Sequence, residues 1–289
     1  RGKEIKKVMS IDFPNSLGMF YSTLTAYLGF KPNEGEYKVM GLAPYGNASK
    51  YFDKLDKIFC HSDNKFWIDH RYFTWEYSER IMFNKKFCKL LGLPPRLPED
   101  KLTQDHKDLA AALQRIYERE FYRLVERAKL ITREVNLCLG GGCAYNGVAN
   151  SLAYDHFDSI HVPFAPSDAG SAIGACLYQY RGERQDNSSP YLGPEYTNFI
   201  VQSTLHGYED KVQWFKLTEE KLIKKTAELL RGQNIIAWFQ GRMEFGARAL
   251  GNRSILASPK NPKMRERLNF VIKKREGFRP FAPSVTEEQ

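Results

Sequence analysis

The sequence lacks most of the features that place a protein quickly. No apolar run in its 289 residues approaches the length that spans a bilayer, which argues against a membrane-spanning helix. No signal-peptide pattern opens it, but it begins at Arg1, so targeting stays open. Its five cysteines (Cys60, Cys88, Cys138, Cys143 and Cys176) are odd in number, scattered and never in CxxC spacing. That favours reduced thiols in a cytoplasm over a disulfide framework. Its six histidines (His61, His70, His106, His156, His161 and His206) never stand as HxxH or HxxxH, so no complete metal site is visible in the chain. What remains is ordinary: 42% hydrophobic and 27% charged residues, in a chain long enough for two domains or one large one. The net charge of +9 admits a nucleic-acid partner, but bases and acids are interspersed until the bases concentrate after Gly241. A phosphate-rich small substrate accounts for that clustering equally well.

One stretch, Val135 to Tyr180, organises the rest. Val135–Leu139 reads as a short buried strand. Gly140, Gly141 and Gly142 break it, and Ala144–Ala153 reads as the helix that follows. Such a turn lets a ligand approach the main chain and aims N–H groups at an anion or nucleotide. The triplet fits neither GxGxxG nor GxxxxGK[ST] spacing, and glycine triplets also occur in plain turns. Ser159–Val162 then reads as a second strand, Pro163–Asp168 as a loop and Ala169–Leu177 as a helix. Asp168 at the loop–helix junction is placed to cap the helix, bind a metal or face a phosphate-bound cation. His161 alternates within its strand, as a core or edge residue does.

Upstream, Glu4–Ile11 is expected to be a strand and Leu17–Leu28 a mostly buried helix. Gly29–Asn47, with four glycines and two prolines, reads as loop. Glu36 and Lys38 within it are either a solvated ion pair or part of a phosphate-facing loop. Residues 51–100 read as irregular. Thr103–Lys129 reads as a long helix, with Leu109, Leu113, Ile116, Tyr117, Phe121, Leu124 and Ala128 forming one buried stripe. After Tyr180 the composition turns polar and linker-like. Thr218–Arg231 is expected to be a helix with Leu222, Leu229 and Leu230 inward. Ile235–Phe239 reads as a strand and Asn261–Lys273 as a helix.

Between Gln240 and Ser254 lie Arg242, Arg248 and Arg253, interleaved with Gly241, Gly246 and Gly251. Lys273, Arg275 and Arg279 follow. Guanidinium groups bind phosphates through paired hydrogen bonds. Arginines in glycine-spaced turns after an apolar strand favour an anion pocket over a solvated basic face.

Several stretches together are similar to the nodulation-type and antibiotic-tailoring O-carbamoyltransferases. They are SLGMFYSTLTAYLGF, GEYKVMGLAPYG, RLPEDKLTQDHKDLAAALQRIYE, LCLGGGCAYNGVANS, PSDAGSAIGA, WFQGRMEFGARALGNRSILASP and IKKREGFRPFAPSV. The resemblance implies an α/β protein in which residues 1–183 are the C-terminal part of an actin-like, sugar-kinase-like ATPase domain. Residues 184–200 would be a linker. Residues 201–289 would begin a small α/β carbamoyl-phosphate-binding domain resembling threonylcarbamoyl-adenylate synthases. The implied reaction moves a carbamoyl group from carbamoyl phosphate, through a carbamoyl-adenylate made with ATP, to a hydroxyl of a sugar or other small acceptor. Gly140, Gly141, Gly142 and Asn146 match the adenosine- and phosphate-contacting turn, and Glu36 and Lys38 a loop lining it. Asp168 matches a ligand of the divalent metal, iron or else Mg or Mn. Arg248, Arg253, Lys273, Arg275 and Arg279 match the carbamoyl-phosphate pocket. The sequence departs from the family at Ala247, where GPRALG carries proline, and at Ser167, where glycine is frequent. The family's metal histidines and the rest of its second domain would fall outside residues 1–289. An isolated piece of this kind is expected to be inactive and to expose core surface, with dimerisation as one result. A tRNA threonylcarbamoylation protein and a non-enzymatic basic nucleic-acid-binding module are the alternatives. Membrane association is not expected.

Overall fold

The computed structural model describes residues 5–62, 65–78, 81–180, 189–286 and 288. It is a mixed α/β structure whose sheets, among the described residues, are all two-stranded. Its contacts divide it into two compact units, Arg1–Val162 and Pro163–Gln289.

The first unit is built on one long helix. Helix α1 (Leu17–Tyr27) is mostly apolar and buries Phe20, Leu24 and Tyr27 completely, as a core helix does. Ser16 caps it by accepting the Met19 N–H at 3.2 Å. Helix α2 (Glu36–Leu42) and α3 (Phe52–Asp56) follow. Strands β1 (Phe59–His61) and β2 (Phe66–Ile68) form an antiparallel hairpin, and α4 (Lys85–Leu91) comes next. Helix α5 (Gln104–Thr132) packs against α1, α2 and α3, and buries Leu109, Leu113 and Ile116 fully.

Two internal caps hold these helices. At the start of α5 the Thr103 N–H donates to His106 Nδ1 at 3.0 Å. At the end of α1 the buried Arg96 donates Nε to the Leu28 carbonyl at 2.6 Å and Nη2 to that of Gly29 at 3.3 Å. Its Nη1 reaches the carbonyls of Pro98 (3.1 Å) and Asp100 (2.6 Å). Arg96 thus satisfies carbonyls that a helix end leaves unpaired. The fully buried Glu120 of α5 accepts from His61 at 3.0 Å and from Arg119 at 2.7 Å, tying β1 to the long helix.

The unit ends with β3 (Asn136–Cys138), α6 (Gly147–Ser151) and β4 (Ser159–His161). The strands are parallel, with Leu137 opposite Ile160. Both side chains pack on a cluster of Val125, Ala153 and Phe157. Period-two alternation turns Asn136, Cys138, Ser159 and His161 outward, and all four are exposed.

The second unit contains α7 (Asp168–Gln179), α8 (Asn198–His206), α9 (Glu219–Arg231), β5 (Ile236–Phe239), β6 (Arg253–Leu256) and α10 (Met264–Glu266). A π-type turn, Arg267–Ile272, continues α10. Strands β5 and β6 are antiparallel, with Phe239 opposite Arg253. Among the described residues, no helix is long and apolar enough to cross a membrane.

Several sequence expectations need correction. Residues 5–11 form no strand, and Glu4 lies outside the described residues. Gly29–Asn47 is not all loop, because α2 runs from Glu36. Residues 51–100 are more regular than their composition suggests, since aromatic pairs such as Phe20–Phe59 (4.9 Å) and Tyr27–Phe87 (5.3 Å) order them. The strand at Val135–Leu139 is not buried, because one face only has a packing partner. The helix expected over Ala144–Ala153 is split into α6 flanked by tight 3-10 turns. Leu222 of α9 is exposed rather than inward. The helix over Asn261–Lys273 is reduced to α10 and the π-type turn. Of the proposed linker, residues 184–188 lie outside the described residues, and α8 starts at Asn198.

Candidate active site

Two arrangements hold the residues that the sequence singles out, one in each unit. The first is the glycine turn between β3 and α6. Gly140, Gly141 and Gly142 are exposed, and a Cβ built on any of them would meet nothing within 4 Å. The turn is therefore open to a ligand, and Gly141, at φ 86°, takes the left-handed form that glycine favours.

Beneath the turn lies a buried polar chain. Asn146 and Gln114 of α5 form a reciprocal amide pair, each donating to the other at 3.1 Å. Gln114 Oε1 also accepts the Tyr21 hydroxyl at 2.9 Å, and Gln114 Nε2 donates to Glu118 at 2.8 Å. Asn146 Oδ1 further accepts the Ala149 N–H at 3.1 Å, capping α6. Asn146 thus anchors the turn from below, and its side chain is committed to that network. Gln114 and Tyr21 lay inside helical patterns, where the sequence gives no sign of a polar partner.

Glu36 is drawn into the same region. It stands in the first turn of α2, where it accepts the Ser22 hydroxyl at 2.5 Å and the Asn33 N–H at 2.8 Å. Burial, and then its negative charge, push the Tyr21 hydroxyl well above the ordinary tyrosine range. Burial is also the main reason the Cys143 thiol is pushed up, with Glu36 adding to it. Lys38 lies over the Phe30 ring, 5.6 Å from its centroid. Glu36 and Lys38 therefore belong to a helix start rather than to a loop.

The second arrangement is the arginine loop between β5 and β6. Its centre is Glu244, a residue that sequence reasoning passed over. Glu244 is buried at 4% exposure, and its Oε1 accepts the N–H groups of Leu250 (2.7 Å), Asn252 (2.8 Å) and Arg253 (3.3 Å). Its Oε2 lies 3.1 Å from Arg253 Nε. Burial alone would raise its carboxyl, but the backbone N–H groups outweigh that and hold it below the usual range. Arg253 begins β6 rather than lying in a turn. Its Nη2 reaches back to the carbonyls of Gly246 (2.9 Å) and Arg248 (3.4 Å). Arg248 is exposed on the loop that results.

Lys273, Arg275 and Arg279 separate by environment. Lys273 is exposed. Arg275 donates Nε to Asn269 Oδ1 at 2.8 Å and lies 4.9 Å from the Phe281 centroid. Arg279 is buried, 3.5 Å from Glu276. The fully buried Asn269 holds that segment through the carbonyls of Gly277 and Arg279.

Within the second unit the arginine loop packs on the loop that leads into α7. The Phe164 and Phe245 rings meet edge to face at 6.2 Å, and a Cβ on Gly246 would lie 3.2 Å from the Phe164 carbonyl. Gly246 has φ 101°, so a side chain there would also strain the backbone. A Cβ on Gly170 would fall 1.9 Å from the Ala165 carbonyl, so the loop closes on α7 only because residue 170 is glycine. Ser167, not Asp168, holds the N-cap position, and Asp168 occupies the first turn, where its charge suits the helix dipole. Asp168 is exposed, and no group of three His, Cys, Asp or Glu side chains able to hold a metal occurs among the described residues. Asp168 alone is one carboxylate of the several donors a metal needs.

Comparison with known proteins adds the last observation. The family model described as "Carbamoyltransferase N-terminus" matches residues 2–177, and "Carbamoyltransferase C-terminus" matches residues 227–289. The chain is similar to an uncharacterized protein of Synechocystis, at 43% identity over 100% of this chain and 49% of that one. It is similar to nodulation protein NolNO of Sinorhizobium fredii, at 35% identity over 99% and 41%. Nodulation protein NolO of Bradyrhizobium diazoefficiens is also 35% identical, over 99% and 51%. The chain spans about half the length of these curated relatives.

Proposed function

The chain belongs to the carbamoyltransferase family, and on that premise we propose that the protein is an ATP-dependent O-carbamoyltransferase. Its donor is carbamoyl phosphate, its activated form a carbamoyl-adenylate, and its acceptor a hydroxyl of a sugar or similar small molecule. Bound ATP would supply the adenylyl group that makes the carbamoyl carbon reactive. A mixed anhydride divides a difficult transfer into two easier ones.

The observation that carries this reading is the contact between the Glu244–Arg253 loop and the loop that leads into α7. It joins a segment of the C-terminal family match to a segment of the N-terminal one. In this proposal Arg248 meets the phosphate of the donor through paired charge-assisted hydrogen bonds. Gly140, Gly141 and Gly142 leave the main chain open to the nucleotide, with Asn146 fixing the turn from behind. Residues 1–183 would then serve as the actin-like ATPase part and residues 201–289 as the donor-binding part. A homodimer in the cytoplasm is the expected setting.

The test follows phosphate and pyrophosphate release by the full-length protein supplied with ATP and carbamoyl phosphate. Release that requires both substrates and is lost in Arg248→Ala supports the proposal. ATP consumption that is equal without carbamoyl phosphate refutes it.

A further inference from the structure

We infer that Glu244 and Arg253 are positioning residues for the donor site, and that they act through Arg248. Their ion pair folds residues 244–253 around itself, so that Arg248 faces the phosphate-bearing donor while Arg253 does not touch it. The inference deepens the proposed function and rests on it.

By sequence alone Arg242, Arg248 and Arg253 are equivalent anion ligands. The structure makes them different. The loop's own N–H groups at Leu250, Asn252 and Arg253 converge on one point, the geometry that binds an anion. That point is filled by the Glu244 carboxylate, an internal anion supplied by the loop. The Arg253 guanidinium pairs with it and spends Nη2 on the carbonyls of Gly246 and Arg248. Those two carbonyls stand at, and two residues before, the exposed arginine. The Arg248 backbone is therefore clamped by a pair whose carboxylate is buried and whose guanidinium is partly exposed, while the Phe164–Phe245 contact also supports the loop. A rigid backbone lowers the cost of ordering a long side chain when a ligand binds. A purely structural pair would affect all substrates alike. A positioning pair affects the substrate that Arg248 meets.

The experiment uses the full-length protein with Arg248→Lys, Glu244→Gln and the double variant. Glutamine retains an oxygen for the three N–H groups, so the loop can still close while the charge is lost. The expected result is a rise of about tenfold in the KM for carbamoyl phosphate in Glu244→Gln, the scale of one weakened charge-assisted contact, with the KM for ATP unchanged. In the Arg248→Lys background, which keeps a cation but not the paired guanidinium contact, Glu244→Gln adds nothing further. A wild-type KM in Glu244→Gln, or a full additional loss in the double variant, overturns the inference. Limited trypsin cleavage after Arg248 gives a readout independent of turnover, expected to be faster in Glu244→Gln. If the wild type does not consume carbamoyl phosphate, the proposed function fails. The cleavage rate then decides this inference alone: faster cleavage in Glu244→Gln supports a clamped loop, and an unchanged rate overturns it.

Discussion

Replacing Gln114 by leucine tests whether the glycine turn is held from below. The change keeps the side chain's approximate size and removes both ends of its amide. The Tyr21 hydroxyl and the Asn146 Nδ2 group lose their acceptor, and both residues are buried. Tyr21 stays protonated at every usable pH, because burial and the charges of Glu36 and Glu118 raise it. It therefore remains a donor without a partner. Asn146 Oδ1 keeps the Ala149 N–H, and Glu118 is half-exposed and can turn to water. Two orphaned donors at about 1–3 kcal/mol each give a loss of about 3 kcal/mol. For a unit of this size that corresponds to a fall in Tm of about 6–12 °C. Tyr21→Phe removes one donor with its need, so it should cost only about 1 kcal/mol and make the leucine change less harmful in combination. Urea unfolding of the two single variants and the double variant measures this directly. A loss below about 1 kcal/mol in Gln114→Leu, or strict additivity with Tyr21→Phe, would refute the network as an anchor.

Other perturbations address the caps. Arg96→Ala leaves the carbonyls of Leu28, Gly29, Pro98 and Asp100 without their donor, and should cost about 3 kcal/mol by chemical unfolding. Arg96→Lys should recover only part of it, since an ammonium cannot reproduce the planar fork. His106 is held below the ordinary histidine range, first by burial and then by the Arg96 charge. Its unfolded form therefore takes up a proton first as pH falls, so stability present above about pH 6.5 is lost on acidification below it. His106→Gln keeps an acceptor for the Thr103 N–H and should flatten that part of the stability–pH curve. An unchanged slope would assign the effect to another group.

Periodicity and punctuation made much of the fold legible. The stripe from Leu109 to Tyr117 announces α5, and the alternation of short apolar runs with glycine-rich turns announces β3, α6 and β4. Glycine and proline counts hid α2, because Glu36–Leu42 forms against α5 through tertiary packing that composition does not encode. Exposure of Leu222 likewise depends on what packs against α9, not on its spacing. In the candidate site the open glycine turn and the arginine loop were both visible. Glu244 was not, because its role comes from N–H groups six to nine residues away and its letter is one acid among bases. Asn146 was visible as part of a motif, but its partner Gln114 lies 32 residues away in the chain.

The most direct measurement is isotope exchange between labelled pyrophosphate and ATP on the full-length protein, without acceptor. An adenylate intermediate formed from the carbamoyl donor makes that exchange depend on carbamoyl phosphate, and Arg248→Ala should abolish it. Label entering ATP equally well without carbamoyl phosphate would contradict the account. So would carbamoyl transfer to a hydroxyl acceptor that proceeds with ATP omitted.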